Sequence, residues 1–589
     1  MDIRTYGSAA GLVRQILDPK TATTPVMETP PQKPAFRQTA VCRPFPRKTP
    51  EEVGLSSAHI ADYLRTLAAE RSLNMHSILI LKDGAVVTEA DFGPYDHRIW
   101  HVTHSQCKSL TGLAIGMLMD EGKLMPDEPV ADIFREEMSR FAQFTGRGLT
   151  VRHLLSMTAG VMFNESGSVT EPDWQKGFLE SLLKMEPGRQ FMYNSMNTYM
   201  LSCIVKKRSG QGLAAYLTPR LFRPMGIENL FWEKSPTGQE KGGWGLYILP
   251  ENMAKIGYLV LCDGVWDGKQ LISHDYLKLA TSVQAHTPRE TCAYDYGWQI
   301  WVGRERDSFL FNGMFGQNVL GFRDSGVLVV CTAGNSELFQ QSAYYGITER
   351  FFAPAYCRAA ALPENRAGHR ALRDTLRQIR GGTVAELPWH GERGLRRRLC
   401  RALSGKCFAF QTENAASVGL MPLIVQAVQN NYTRGLRGCA FVYEEKPDRL
   451  VLTMLEADAR HVLPVGFTAP GHTELDFHGE RHRVAVWGEV TTDEDGTPVL
   501  KVRVDFLEIA NSRILKFFLY GDKIELRLSE LPGEDFALSG LASLKPGSGH
   551  HSALDNLLDL ADGDYARYKL HTVFSPVLEL FPVESERNL

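Results

Sequence analysis

Two strand patterns near the start of the chain lack any nearby partner. Residues 77–91, SILILKDGAVVTEAD, place apolar and β-branched runs on either side of Asp83-Gly84, a two-residue turn signal, and so predict a β-hairpin. Comparable patterns return in YGWQIWVG, NVLGFRD and VLVVCTA, between Tyr296 and Ala333, after a long helical and loop-rich stretch. A lone hairpin is marginal in water. The order therefore predicts one antiparallel sheet drawn from both ends of this segment, with a helical insert between them. A helix is expected from about Ser57 to Ala69, capped by Ser56 or Ser57, and another from about Ser336 to Phe352.

A chain of 589 residues is too long for one hydrophobic core. Past Leu362 the text turns polar and charged, then changes character. RLVLTMLEA, HRVAVWGEV, PVLKVRVDFLE, RILKFFLY and KIELRLSE are short strand patterns separated by turn signals such as Asp495-Gly496 and Gly521-Asp522, with one apolar helix, GLMPLIVQAVQNN, among them. This spacing predicts a meandering antiparallel sheet or a small closed barrel. The expected organisation is an N-terminal arm (1–47, containing TPPQKP), a mixed α+β domain (48–360), a connecting segment (361–394) and a β-rich domain (395–589).

The net charge of −3, with 23% charged residues, leaves no electrostatic footprint for nucleic acid or an anionic membrane. The densest basic run, RGLRRRLCR, reads as a solvated helix face. No apolar run approaches the ~18 residues of a membrane helix. Ten cysteines occur without a CxxC, which suits a reducing cytoplasm, and the opening residues show no basic leader before an apolar core.

The segment HSQCKSLTGLAIGMLMDEGKL, from His104 to Leu124, carries the chemistry. Leu110, Leu113, Ala114, Met117 and Leu118 follow the spacing of one helix face, so a central helix is expected from Ser105 to Glu121. Gly112 and Gly116 leave a smooth patch for a close neighbour. Ser105 falls in the first turn, and Lys108, three residues on, lies over the same edge. A serine hydroxyl needs a base to become a nucleophile. A lysine serves as that base only if desolvation or a nearby positive charge lowers its pKa from about 10.4. Alternatively, Ser105 caps the helix and Lys108 snorkels to water; S-x-x-K alone does not separate the two readings.

Together with PEEVGLSS (50–57), VRHLLSMTAGV (151–161), EPGRQFMYNSMNTYMLSCIV (186–205) and GGWGLYILPENMAKIG (242–257), this segment resembles the class C β-lactamase-related serine hydrolases. That family includes penicillin-binding-protein-like peptidases, family VIII-type esterases and amide hydrolases of the nylon-oligomer type. The resemblance covers about residues 48–355. It implies a β-lactamase/transpeptidase-like fold and a cofactor-free acyl-enzyme mechanism without metal. It assigns Ser105 as nucleophile, Lys108 as its proton partner and Tyr193 as the second-motif base, with the phenol and the lysine titrating as a coupled pair. Two departures stand out. Ser195 occupies the usual asparagine of Tyr-x-Asn, and the third motif reads Asn312-Gly313 with no cation to hold a substrate carboxylate. That favours small uncharged esters or amides over penicillin-like substrates. The implied oxyanion hole is the N–H of Ser105 and that of Met314, after Gly313.

Ser195 and Trp244 are candidate substrate contacts, though a core tryptophan is the more frequent case. His104 reads as a polar neighbour of the nucleophile and His153 as a packed histidine at a helix start. Cys107 reads as an apolar filler, and His478 and His482 as strand-turn residues rather than metal ligands. The competing functions are a penicillin-interactive DD-peptidase or β-lactamase, and a non-catalytic binding protein of the same fold. The β-rich domain resembles lipocalin-type modules by fold alone. Whether it gates the site, binds an apolar ligand or forms a homodimer is left open.

Overall fold

The computed structural model describes residues 29–336, 340–381, 393–410, 418–433, 435–456, 459–533 and 571–584. Among these, residues 37–381 form one compact unit, and 29–36 with those from 393 onward form a second. No described helix is long and apolar enough to cross a membrane.

The first unit is organised by a seven-stranded antiparallel sheet. Its strands are β1 (Met75–Lys82), β2 (Ala85–Asp91), β3 (Asp295–Tyr296), β4 (Trp301–Val302), β5 (Ser308–Gly313), β6 (Gln317–Phe322) and β7 (Val327–Ala333), in the order β2-β1-β7-β6-β5-β4-β3. The early hairpin turns at Asp83-Gly84, both with positive φ (48° and 77°), and β1 pairs directly with β7. The two chain ends of the segment thus meet in mid-sheet. YGWQIWVG contributes only the short β3–β4 ribbon, and β5 is a strand that the apolar patterns alone did not separate.

Strand parity divides the core. Leu79, Leu81, Phe309, Phe311, Leu328 and Val330 pack on one face with α2 (Lys108–Asp120), α3 (Ser195–Ser209) and α4 (Pro250–Leu261). Ile78, Ile80, Leu310, Leu320, Val327 and Val329 pack on the other with α1 (Ser57–Ala69). Successive side chains of a strand point to opposite faces, so two-sided cover requires strands apolar at nearly every position. Ser56 caps α1 by accepting from His59 N–H. The late helix is shorter than expected, Ala343–Phe351, and residues 337–339 lie outside the described residues. The polar segment after Leu362 contains α5 (Arg366–Arg380). Its Leu372 and Ile379 join the α1-side core, and its Thr375 accepts from Arg65.

α2 is buried all round rather than along one stripe, from Lys108 to Leu118. Its two glycines make that possible. A Cβ on Gly116 would stand 2.4 Å from the Tyr276 ring, and one on Gly112 would stand 2.8 Å from Gln299 Cβ. Gln299 in turn accepts from Thr198 on α3 (2.6 Å) and donates to the carbonyls of Leu154 and Leu155.

The second unit is a ten-stranded, nearly closed antiparallel barrel. Its strands are β8 (Cys407–Phe410), β9 (Leu436–Glu444), β10 (Arg449–Glu456), β11 (Arg460–Val465), β12 (Gly471–Phe477), β13 (Glu480–Thr492), β14 (Pro498–Phe506), β15 (Ser512–Tyr520), β16 (Lys523–Leu531) and β17 (Val577–Val583). They run in the order β11-β10-β9-β8-β17-β16-β15-β14-β13-β12. Gly466, just past β11, bonds to Val486 and Gly488 of β13 and draws the two edges together. A buried ion pair, Arg513–Glu530 at 2.8 Å, ties β15 to β16. The Glu530 carboxylate also accepts the N–H groups of Leu423 and Ile424, which open α6 (Leu423–Gln429). Of the expected N-terminal arm, residues 1–28 lie outside the described residues. Residues 29–36 are fixed to this barrel: the Lys33 ammonium pairs with Glu508 at 2.9 Å, both buried, and Arg483 lies over the Phe36 ring.

Candidate active site

Ser105 stands on a 3-10 turn, His104–Cys107, and the α-helix proper begins at Lys108. This differs from an α-helix that starts at Ser105, and the difference matters. In a 3-10 turn residues i and i+3 eclipse, so Lys108 rises directly over Ser105. Lys108 Nζ lies 2.9 Å from Ser105 Oγ, 3.0 Å from Ser195 Oγ and 2.7 Å from Gly243 O. These partners come from the turn, the start of α3 and the loop before Trp244. The lysine is 2% exposed, and burial lowers its pKa from 10.5 to about 8, opposed by Cys107 and Glu165.

Hydrogen-bond inventory orients the neutral amine. Gly243 O can only accept, so it takes one N–H. If Ser195 Oγ takes the other, the nitrogen lone pair is left facing the Ser105 hydroxyl. That is the geometry a general base requires.

The approach to Ser105 is set by backbone. His104 has φ 46°, in the left-handed region that histidine tolerates better than most residues. Its ring packs edge-on against Phe315, itself at φ 65°, with centroids 5.2 Å apart. Burial drives the His104 pKa down to about 3, so the imidazole is neutral. Gly313 closes the other side. A Cβ there would lie 2.2 Å from Thr103 O and 3.1 Å from Gln106 N, so only glycine lets β5 run this close to the turn. The next residue, Met314, begins a 3-10 turn to Gly316 and is half-exposed.

Asn312, expected beside Gly313 as part of the third motif, faces the other way. Strand alternation puts it on the α1 side, where its amide donates to Asn318 Oδ1 (2.9 Å) and Tyr345 OH (2.8 Å). It supports the sheet and does not face Ser105.

Tyr193 is half-exposed and hydrogen-bonded to Ser105. Its ring stacks on Trp301 (5.9 Å between centroids) and meets Tyr296 edge-on. Burial pushes the phenol pKa well above its ordinary value, and the bond to Ser105 opposes this only partly. Lys108 Nζ sits over the ring face, 5.1 Å from its centroid. Burial thus leaves a neutral phenol beside a titrating amine, in place of the expected phenol lowered by the lysine.

Other sequence candidates find ordinary roles. Half-exposed Trp244 stacks on Trp174 at 5.4 Å. His153 completes a capping box with Thr150. The Cys107 thiol bonds to the carbonyls of His104 and Gly242, and burial raises its pKa to about 12, which overrides any lowering by the helix start. His478 bonds Asn431, and His482 bonds Glu480, both in the barrel. Among the described residues one group, Asp91, Asp96 and His97, has metal-ligand spacing, but Arg98 and Arg380 already pair with its carboxylates. Two residues with no role assigned from the sequence join the site. Gly243 contributes its carbonyl, and Glu165 accepts the Ser195 N–H at 2.6 Å.

Residues 60–343 match the family model described as Beta-lactamase. The 6-aminohexanoate-dimer hydrolase of Paenarthrobacter ureafaciens is 27% identical over 277 residues, which is 41% of this chain and 68% of that protein. Penicillin-binding protein 4* of Bacillus subtilis is 23% identical over 298 residues, 42% of this chain and 64% of its own length. A penicillin-binding protein homologue from Caulobacter crescentus has a similar solved structure, with 18% identity, a TM-score of 0.41, and coverage of 51% of this chain and 96% of that one. The matched region, with its antiparallel sheet, buried S-x-x-K turn and flanking helices, is a beta-lactamase family domain.

Proposed function

We propose that this chain is a serine hydrolase that cleaves an ester or amide through an acyl-enzyme on Ser105. One observation carries the reading: a buried amine, its pKa brought to about 8, lies 2.9 Å from a half-exposed serine hydroxyl. Lys108 accepts the Ser105 proton as Oγ attacks the carbonyl carbon. The resulting oxyanion sits between the N–H groups of Ser105 and Met314. Tyr193, a neutral phenol bonded to Ser105, gives its proton to the departing alkoxide or amine and regains one from the Lys108 ammonium. Water then attacks the acyl-enzyme, with the same groups returning the proton to Ser105 Oγ. The name of the 27% identical relative, a hydrolase of a 6-aminohexanoate dimer, supports hydrolytic activity. The competing reading, turnover of penicillin-like compounds, is supported by the 23% identical relative but lacks a third-motif cation. The ten free cysteines suit a reducing compartment and support a cytoplasmic location.

A fluorophosphonate probe is expected to label the wild type and leave Ser105→Ala unlabelled; adduct on the variant would remove Ser105 as nucleophile. Turnover of nitrocefin above that of p-nitrophenyl esters would favour the competing reading. For neutral esters kcat/KM should rise with pH, because the neutral amine is the active form. It should level off above about 8 and fall about tenfold for each pH unit below. A profile flat from pH 6 to 9 would contradict Lys108 as the base. Gly313→Ala should cost about 100-fold or more in kcat by displacing β5 from the oxyanion position. Full activity in a folded variant would exclude that role.

A further inference from the structure

The charge around the nucleophile selects for a class of substrate. Glu165 reaches the site through backbone. Its Oε1 accepts Ser195 N–H at 2.6 Å, and Ser195 Oγ is the second partner of Lys108, at 3.0 Å. Asn194, one residue earlier, pins the same loop by donating to Val161 O (3.3 Å) and Phe163 O (2.8 Å). The carboxylate is therefore held in place rather than trailing in solvent, yet Glu165 is half-buried and open to a ligand, as are Ser105, Tyr193 and Trp244. It acts electrostatically on both Lys108 and Tyr193, raising the pKa of each.

Among the described residues, no fixed cation balances it. His104 is neutral, the third-motif position carries an asparagine that faces away, and Lys241 near Trp244 is paired with Glu233 at 2.7 Å. When Lys108 is neutral, in its nucleophile-activating form, the residues around Ser105 carry a net negative charge from Glu165. A carboxylate-bearing substrate would meet that charge without a partner, whereas a cation would neutralise it.

Building on the hydrolase reading above, we infer that Glu165 is a specificity-determining residue that selects esters or amides bearing a positively charged amine or quaternary ammonium group. Its bond to Ser195 N–H would by itself serve as a cap on α3, a role that any acceptor could fill. The two roles separate because a glutamine keeps the acceptor and loses the charge.

The test compares three thioesters at pH 8.5 and low salt: acetylthiocholine, its neutral isostere 3,3-dimethylbutyl thioacetate, and S-acetyl-3-mercaptopropionate. Each is assayed on the wild type, Glu165→Gln and Glu165→Asp, with competent sites counted by fluorophosphonate labelling so that only folded enzyme enters the rates. In the wild type the kcat/KM for the cationic ester should exceed that for the neutral one by about tenfold or more, with the anionic ester lowest. Glu165→Gln should bring the ratio close to one, and Glu165→Asp should keep it above one. A wild-type ratio near one, or an unchanged ratio in Glu165→Gln, would overturn the inference and leave the hydrolase reading intact. No turnover of any thioester, together with no labelling of Ser105, would remove the hydrolase reading and this inference with it.

Discussion

A primary amine sealed from water is the constraint around which the first unit is arranged. Bringing Lys108 from 10.5 to about 8 corresponds to about 3 kcal/mol against its charged form. The fold offsets this with three acceptors drawn from separate parts of the chain. Each depends on packing elsewhere. The Ser105 turn needs Gly313 to admit β5, and the carbonyl of Gly243 needs its loop bound to that turn through Cys107 and to α2 through Thr111. Ser195 needs α3 held against α2 through Thr198 and Gln299. The all-round burial of α2 follows from the same demand, since a helix with one wet face would leave its first turn solvated.

Strand parity then decides which neighbours can take part. Because β5 alternates, Gly313 and Asn312 cannot both face Ser105. The glycine faces it and the asparagine binds Asn318 and Tyr345 behind the sheet. The third-motif position therefore presents backbone and no side-chain charge, while Glu165 brings a carboxylate to the N–H of Ser195. The balance of charge in the site is reversed relative to one that holds a substrate carboxylate with a cation.

Much of this was legible in the sequence for physical reasons. Asp83-Gly84 predicts a tight hairpin, and unpartnered early strands must pair with late ones, as β1 does with β7. The regular strands and turns after Arg449 similarly specify the barrel. Ser105 and Lys108 share one edge because they stand three apart at the start of a patterned helix, whereas Tyr193 is placed beside them only by the family resemblance of EPGRQFMYNSMNTYMLSCIV. What escaped the sequence depends on tertiary contact. Lys33 looks like part of a loose arm, yet it is buried against Glu508, more than four hundred residues away along the chain. Glu165 opens a short helix, Glu165–Thr170, that shows no apolar periodicity, and only the docking of 161–165 onto Asn194 and Ser195 brings it to the site. The 3-10 start of α2 was likewise invisible, since a turn of that kind and an α-helix share one residue pattern.

The account rests most directly on the ionisation of Lys108. Titration of the lysine side chains by 13C NMR, with the Lys108 signal assigned through Lys108→Met, would measure it without reference to any substrate. Burial also lowers Lys255 to about 8, so the expected result is two lysine signals titrating near pH 8, of which one vanishes in the variant and the other, from Lys255, stays. A Lys108 signal that titrates near 10.5, as for a solvated lysine, would contradict the account.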